Sequence, residues 1–395
     1  MTDTPAPPRS SPLHDRHDAL GASFTDFGGW NMPVRYTSDL AEHRAVREAA
    51  GLFDISHMAE FWVHDGRAAE FLDYALAGRV SAMKVGKAKY SLVLAESGGI
   101  VDDVIVYRTG EQYFLVIANA GNRDAVTAAF ARARETWSAA QAFIDGPPPG
   151  GEYAVVSGGG APLVEDVTDH VALVALQGPR ARGILESVPA IEILSTPLDE
   201  LGYYAFTEGT FAGDSLFIAR TGYTGEDGYE LLVPVNRATD LWDALLDAGS
   251  AAGVLPCGLA ARDTLRLEAG MPLYGHELSR DVTPAQAGLG RVVAADKPAF
   301  VGKDGLASGP ADAPVLVGLV SDGKRAGRAG YAVLHGDDVV GEITSGALSP
   351  TLGHPVAMAY VSPAAAEPGT TLTIDVRGTR IPATVTALPF YRRTA

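Results

Sequence analysis

The chain has 395 residues, with 31 Lys plus Arg against 48 Asp plus Glu and a formal charge of −17. A 47% hydrophobic, 20% charged composition supplies packed cores, and this length fits two or three domains better than one. The single cysteine, Cys257, excludes an internal disulfide framework and a cysteine-rich metal site, and the negative balance excludes nonspecific nucleic-acid binding, which needs a positive field.

Met1–His17 carries four prolines, mixed charge and no apolar run. It reads as neither a secretory signal nor a transit peptide. No segment approaches the ~20 apolar residues of a membrane span. The expectation is a cytoplasmic protein with a flexible tail over 1–16.

Ser38–Gly51 predicts a helix, with Ser38 as N-cap and Gly51 as the stop. Three antiparallel strands follow over Tyr90–Ala95, Ile100–Arg108 and Tyr113–Ala118, with a turn at Ser97-Gly98-Gly99. Gly146–Gly151 (GPPPGG), followed by Gly158–Gly160, is dense in Pro and Gly and reads as a domain linker or, in preference, a surface excursion. Asp240–Ala248 and Leu259–Ala269 predict two helices, the first with Leu241, Trp242, Leu245 and Leu246 on one face. Residues 300–313 have turn composition. Beyond them lie short β-rich runs at Val315–Val320, Tyr331–His335, Val339–Thr344, Val356–Val361 and Thr371–Ile381, the pattern of a small barrel or sandwich. Helices interspersed with strand meanders predict an α+β architecture.

Several motifs are missing. There is no phosphate loop, no strand-coupled GxGxxG, no HExxH and no GxSxG elbow. Chemistry on this chain would rest on carboxylates, arginine and tyrosine acting on an organic ligand.

Three segments stand out. Gly98–Val106 (GGIVDDVIV) sets Asp102 and Asp103 inside an apolar strand. Side chains alternate along a strand, so both enter one pocket only if a bulge intervenes. Otherwise one caps the turn and the other faces solvent. Thr221–Glu230 (TGYTGEDGYE) is either a polar turn or a ligand loop, with rings to stack on a heterocycle and carboxylates to accept its N–H groups. Pro256–Gly270 (PCGLAARDTLRLEAG) places Arg262 and Arg266 at i, i+4, a like-charge pair that calls for a carboxylate from Asp263, Glu268 or a ligand.

Together with FGGWNMPVRY (Phe27–Tyr36), GLFDISHM (Gly51–Met58), ALQGP (Ala175–Pro179), KPAFVGK (Lys297–Lys303) and TSGALSPTLGHPVAMAYV (Thr344–Val361), these segments resemble the aminomethyltransferases, the T-proteins of the glycine cleavage system, from about residue 13 to 391. The resemblance implies a three-lobed folate-binding fold. Two interwoven lobes would span 17–300 and a small C-terminal β-barrel 301–395. It implies an enzyme that takes an aminomethyl group from the lipoyl arm of H-protein, releases ammonia and passes the methylene to tetrahydrofolate. P-protein and L-protein would be functional partners.

Residue by residue, Asp103 matches the family's catalytic aspartate and Glu230 its pterin-binding glutamate. Tyr223 matches a channel tyrosine, and Arg262 the arginine that meets the folate tail. Tyr90, Asn119 and Met58 match further channel positions, as does Tyr203 or its neighbour Tyr204. Gln286 and Arg291 stand where the family commonly has a glutamate and a tryptophan. Two other readings share the fold: a stand-alone folate-dependent demethylase, and a non-catalytic folate-binding protein. The cysteine signature KGCYxGQE of the latter is missing, and Cys257 reads as a packed small residue.

Overall fold

The structure, a computed structural model, describes residues 7–145, 161–309 and 312–393. The Gly146–Gly160 stretch lies outside the described residues. Contacts divide the chain into two units. One comprises Met1–Met58, Thr168–Pro272 and Val317–Ala395, the other Ala59–Val167 and Leu273–Leu316.

The first unit holds a seven-stranded sheet in the order Ile191–Ile193, Phe206–Phe211, Asp214–Ala219, Gly228–Pro234, Val171–Gln177, Ala50–Asp54, Val254–Pro256. The last strand joins in parallel and the others pair antiparallel. Helix Ala238–Gly249 covers it, burying Leu241, Trp242 and Leu245 as its 3.6-residue period predicts. Each such side chain contributes roughly 1.5–3 kcal/mol of transfer free energy.

Helix Asp39–Glu48 is capped by Ser38, whose side chain accepts from Ala41 N at 3.4 Å. Gly51 is not its stop. It lies in the Ala50–Asp54 strand, paired with Gln177 and Leu255. The expected tail over 1–16 does not hold from Arg9 onward. Arg9–Ser10 pairs with Trp30–Asn31, Leu13 is fully buried, and a helix starts at His14. An apolar side chain in a proline-rich stretch supplies the anchor that composition alone hides.

The C-terminal strands close into a six-stranded barrel, in the order Val315–Ser321, Pro355–Val361, Asp338–Leu348, Ala332–His335, Thr371–Val376, Thr379–Thr386. The single run expected over Thr371–Ile381 is two strands. Arg377 and Gly378 both take positive φ and reverse the chain between them.

The second unit is built on a five-stranded sheet, ordered Ala88–Leu94, Ile100–Gly110, Tyr113–Ala118, Ala59–His64, Leu163–Asp166. Phe61, Val63, Val104, Val106, Phe114 and Val116 alternate onto one face, where Phe71 and Leu72 of helix Ala68–Ala75 and Phe130 and Trp137 of helix Arg123–Asp145 pack on them. Tyr90, Leu92 and Leu94 pack in a separate cluster with Leu278, Ala287 and Phe300. Among the described residues, no helix is long and apolar enough to cross a membrane.

Candidate active site

The site residues expected from sequence gather into two groups, one in each unit. In the second unit, Asp102 and Asp103 lie near the start of the Ile100–Gly110 strand. The strand register slips just before them, where Leu94 pairs with Ile100 and Val93 with Asp102. Beyond that slip the alternation is regular. Asp102 shares the parity of Val104 and Val106 and is fully buried, while Asp103 pairs with Leu92 and is half-buried. Neither caps the turn and neither simply faces solvent.

Asn119 joins the two carboxylates. It lies just past the Tyr113–Ala118 strand, and its Nδ2 donates to Asp102 Oδ1 at 2.8 Å and to Asp103 Oδ1 at 2.7 Å. Its backbone N donates to Asp102 Oδ2 at 2.9 Å, and Asn122 Nδ2 to Asp102 Oδ1 at 2.6 Å. The Tyr90 hydroxyl donates to Asp103 Oδ2 at 3.1 Å. Asp103, Tyr90 and Asn119 therefore form one hydrogen-bonded cluster.

Burial first, and the Asp103 charge second, push Asp102 up to about 7 against the donors Asn122 and Asn119. Burial also raises Asp103, with Tyr90 and Asn119 opposing it. Two carboxylates sharing one donor resist double ionisation. Asp102 and Asn122 are thus members of the cluster that strand alternation alone did not reveal. Tyr274 lies near it: its hydroxyl donates to Ile100 O at 3.4 Å and its ionisation feels the Asp102 charge.

In the first unit, the ALQGP and TGYTGEDGYE segments explain one another. Gln177 Nε2 donates to Thr221 O at 3.1 Å, and its Oε1 accepts from Thr224 Oγ1 at 2.9 Å. A Cβ at Gly222 would sit 1.9 Å from that Oε1, so glycine there is a matter of space. Arg220 grips Asp227 with two hydrogen bonds of 2.9 and 2.7 Å. The loop is thereby a fixed frame for the strand that follows.

On that strand Glu230 pairs with Ala175 and Ala219, is 8% exposed, and accepts from Thr221 Oγ1 at 2.5 Å. Tyr223 donates its hydroxyl to Pro272 O at 2.5 Å, and the Arg262 guanidinium lies over its ring at 4.8 Å. Burial lowers the pKa of Arg262, and the charges of Tyr223 and Glu230 oppose that shift. The internal partners considered for Arg262 are taken by others. Asp263 accepts from Arg266 Nε at 2.8 Å, and Glu268 from Arg47 Nη2 at 2.8 Å. Among the described residues no carboxylate lies within ion-pair distance of the half-buried Arg262.

Met58 ends the turn after the Ala50–Asp54 strand and is half-buried. Its neighbour His57 was not singled out in the sequence. It is 2% exposed, meets the Phe27 ring edge-on at 5.5 Å, and is held neutral, at about 4, by burial and then by the Arg262 charge. Tyr203 is 44% exposed, in edge contact with Tyr204 at 5.0 Å, and both feel the Glu230 charge. Gln286 is committed to the backbone: its Oε1 accepts from Thr283 N at 3.1 Å and its Nε2 donates to Pro314 O at 3.3 Å. Arg291 is exposed, and Cys257 is buried at 1%.

Comparison with known proteins adds a lineage to this geometry. The model of the GCVT N-terminal domain matches residues 13–297, and that of the glycine cleavage T-protein C-terminal barrel domain matches 315–392. An aminomethyltransferase of Saccharopolyspora erythraea is 51% identical, covering 98% of this chain and 99% of its own. One of Streptomyces coelicolor is 50% identical, covering 98% of each. The crystal structure of glycine cleavage system aminomethyltransferase T from Bartonella henselae superposes with a TM-score of 0.83 at 36% identity, over 97% of this chain and 98% of that one. Matched along nearly its whole length by whole aminomethyltransferases, the chain belongs to the glycine cleavage T-protein family and is a transferase.

Proposed function

We propose that the protein acts in the cytoplasm on an aminomethyl group carried as S–CH2–NH3+ by the lipoyl arm of H-protein, with tetrahydrofolate as co-substrate and P-protein and L-protein as functional partners. The products are 5,10-methylenetetrahydrofolate, the dihydrolipoyl carrier and ammonium. The carbon–nitrogen and carbon–sulfur bonds break and two new carbon–nitrogen bonds form. The two folate N–H protons end on sulfur and on ammonia.

The observation that carries this reading is the open guanidinium of Arg262, stacked on Tyr223 and in the field of Glu230. A planar fork without an internal carboxylate suits the carboxylates of a folate tail, and Glu230 suits the N–H edge of a pterin. Asp103 is assigned the reacting nitrogens. An anion there stabilises a cationic, iminium-like centre and accepts the proton that leaves nitrogen. Tyr90 and Asn119 orient that carboxylate. Met58 and Tyr203 are assigned contacts to the folate rings.

The test is ammonia release from aminomethylated H-protein with and without tetrahydrofolate. Folate-stimulated release is expected. Release from a free methylated amine without the carrier would favour a demethylase instead, and folate binding with no release a binding protein. Asp103→Asn is expected to lower turnover by ~10²–10⁴ while folate still binds. Near-normal release by that variant removes Asp103 from its role.

A further inference from the structure

The chain carries 48 acids, yet Tyr74–Ala95 contains no Asp or Glu. The same stretch holds Arg79, Lys84, Lys87 and Lys89, and so three of the chain's six lysines within six residues. The other lysines are occupied: Lys297 is buried on three carbonyls, and Lys303 and Lys324 also donate to backbone oxygens.

Within the cluster, Lys89 Nζ donates to Arg79 O at 2.9 Å, and Arg79 pairs with Asp296 at 2.9 Å. Lys84 and Lys87 are exposed and have no carboxylate partner among the described residues. Between them Val85 is 45% exposed, an apolar side chain flanked by two free cations.

This loop is braced. Arg108 Nη1 donates to Ser81 O at 2.9 Å and to Met83 O at 2.6 Å. Gly86 N donates to Arg108 O and Arg108 N to Lys87 O. Asp73 Oδ1 accepts from Val80 N and Ser81 N, which turns that acid inward. Glu111 is the nearby exposed acid, and it pairs with Arg108 at 3.1 Å. A chain that only needed solvation would not require a fixed loop. Rigid presentation lowers the ordering cost of binding. The loop also runs directly into the Ala88–Leu94 strand, so Lys87 lies three residues, or ~10 Å, from Tyr90 and its bond to Asp103.

We propose that Lys84, Val85 and Lys87 form a docking surface for an acidic protein face, that of the carrier whose lipoyl arm delivers the substrate. The proposal rests on the function given above. Charge complementarity on a net-negative chain has to be local, and here it is concentrated beside the strand that bears the reacting cluster. Long side chains flanking one apolar contact match a rim-and-core arrangement, in which the charges set encounter rate and orientation.

The experiment measures association of the full-length protein with lipoylated H-protein at low and high salt. The proteins compared are wild type, Lys84→Glu/Lys87→Glu, and Arg182→Glu as an exposed charge reversal elsewhere. Ammonia release is followed in parallel from H-protein and from free aminomethyl-dihydrolipoamide. The double variant is expected to associate ~10-fold more slowly at low salt, with a flattened salt dependence. Its release from the free substrate should stay within about twofold of wild type. No loss of binding, an equal loss in Arg182→Glu, or an equal loss on the free substrate overturns the proposal. Binding is read independently of turnover, so loop-dependent binding without ammonia release refutes the reaction and leaves the docking surface standing.

Discussion

In Asp102→Asn the carboxylate pair loses one charge and keeps nearly the same volume. Both Oδ1 atoms accept from one nitrogen, at 2.8 and 2.7 Å, so the charges sit ~5 Å apart. At an effective dielectric of ~20, two such charges repel by ~3 kcal/mol, or ~2 pKa units. Asp103 is only half-buried, so water screens part of this and ~1–2 units is the working figure for the second ionisation, that of Asp102. The Asp103 pKa is raised in the wild type, chiefly by burial. The Asp103 charge is among the causes that push Asp102 up to about 7, so Asp103 ionises first, beside a neutral Asp102; the amide should leave the acid limb of folate-dependent release within ~0.5 pH units of wild type and abolish the second ionisation near 7.

Stability gives a second readout with its own sign. Asp102 is raised from 3.8 to about 7, so its contribution is present below its unfolded pKa and is lost as pH rises through about 7. The variant lacks that dependence, and it replaces a charged acceptor of Asn119 and Asn122 at a cost of ~1–3 kcal/mol. Its deficit against wild type should therefore shrink between pH 4 and pH 8 in urea melts. An acid limb that moves by a full pH unit or more, or a deficit that grows with pH, would refute the coupled-pair account.

Arg262→Ala should weaken binding of polyglutamylated folate more than of the monoglutamate, by ~10-fold or more in Kd ratio if a charge-assisted contact is lost; equal losses would place Arg262 away from the tail. Glu268 receives Arg47 Nη2 at 2.8 Å and Thr351 Oγ1 at 2.7 Å. Burial pushes it up, but His43, Ser349 and Arg47 outweigh that and hold it at about 2. Its contribution is present above pH 4.5 and lost as pH falls through about 2, so Glu268→Gln should cost ~3–5 kcal/mol at pH 7 and progressively less toward pH 2, read by thermal melts. Gly99→Ala should cost ~1–3 kcal/mol in urea midpoint, because its Cβ would lie 1.8 Å from Arg280 O; a change below ~0.5 kcal/mol would mean the 279–282 backbone yields freely.

Periodicity located helices Asp39–Glu48, Ala238–Gly249 and Leu259–Glu268 and the three-strand meander, since each reports a face that must be buried, but it passed over Ala68–Ala75 and Arg123–Asp145. It could not assign the two aspartates, because alternation says only that they part company. What reunites them is Asn119, sixteen residues from Asp103, and an amide that reaches across a strand edge leaves no periodic trace. Leu13 was missed for a related reason. Four prolines dominated the composition, and the decisive fact was one apolar side chain with a core to enter.

The same limit bears on charge. Sequence spacing marked Arg262 and Arg266 as a pair in need of an acid and offered Asp263 and Glu268 as candidates. The fold gives Asp263 to Arg266, and it gives Glu268 to Arg47, from a helix more than 200 residues earlier. Arg262 is left open by how its neighbours are matched, a property that resides in no single residue. On the roles proposed above, an acidic chain holds an anionic substrate at one arginine and meets an acidic partner at two lysines. Pairing cancels part of its positive charge locally and leaves these three cations without an acid among the described residues, so the pattern of pairing, and not only the sum of −17, bears on which anions the protein admits.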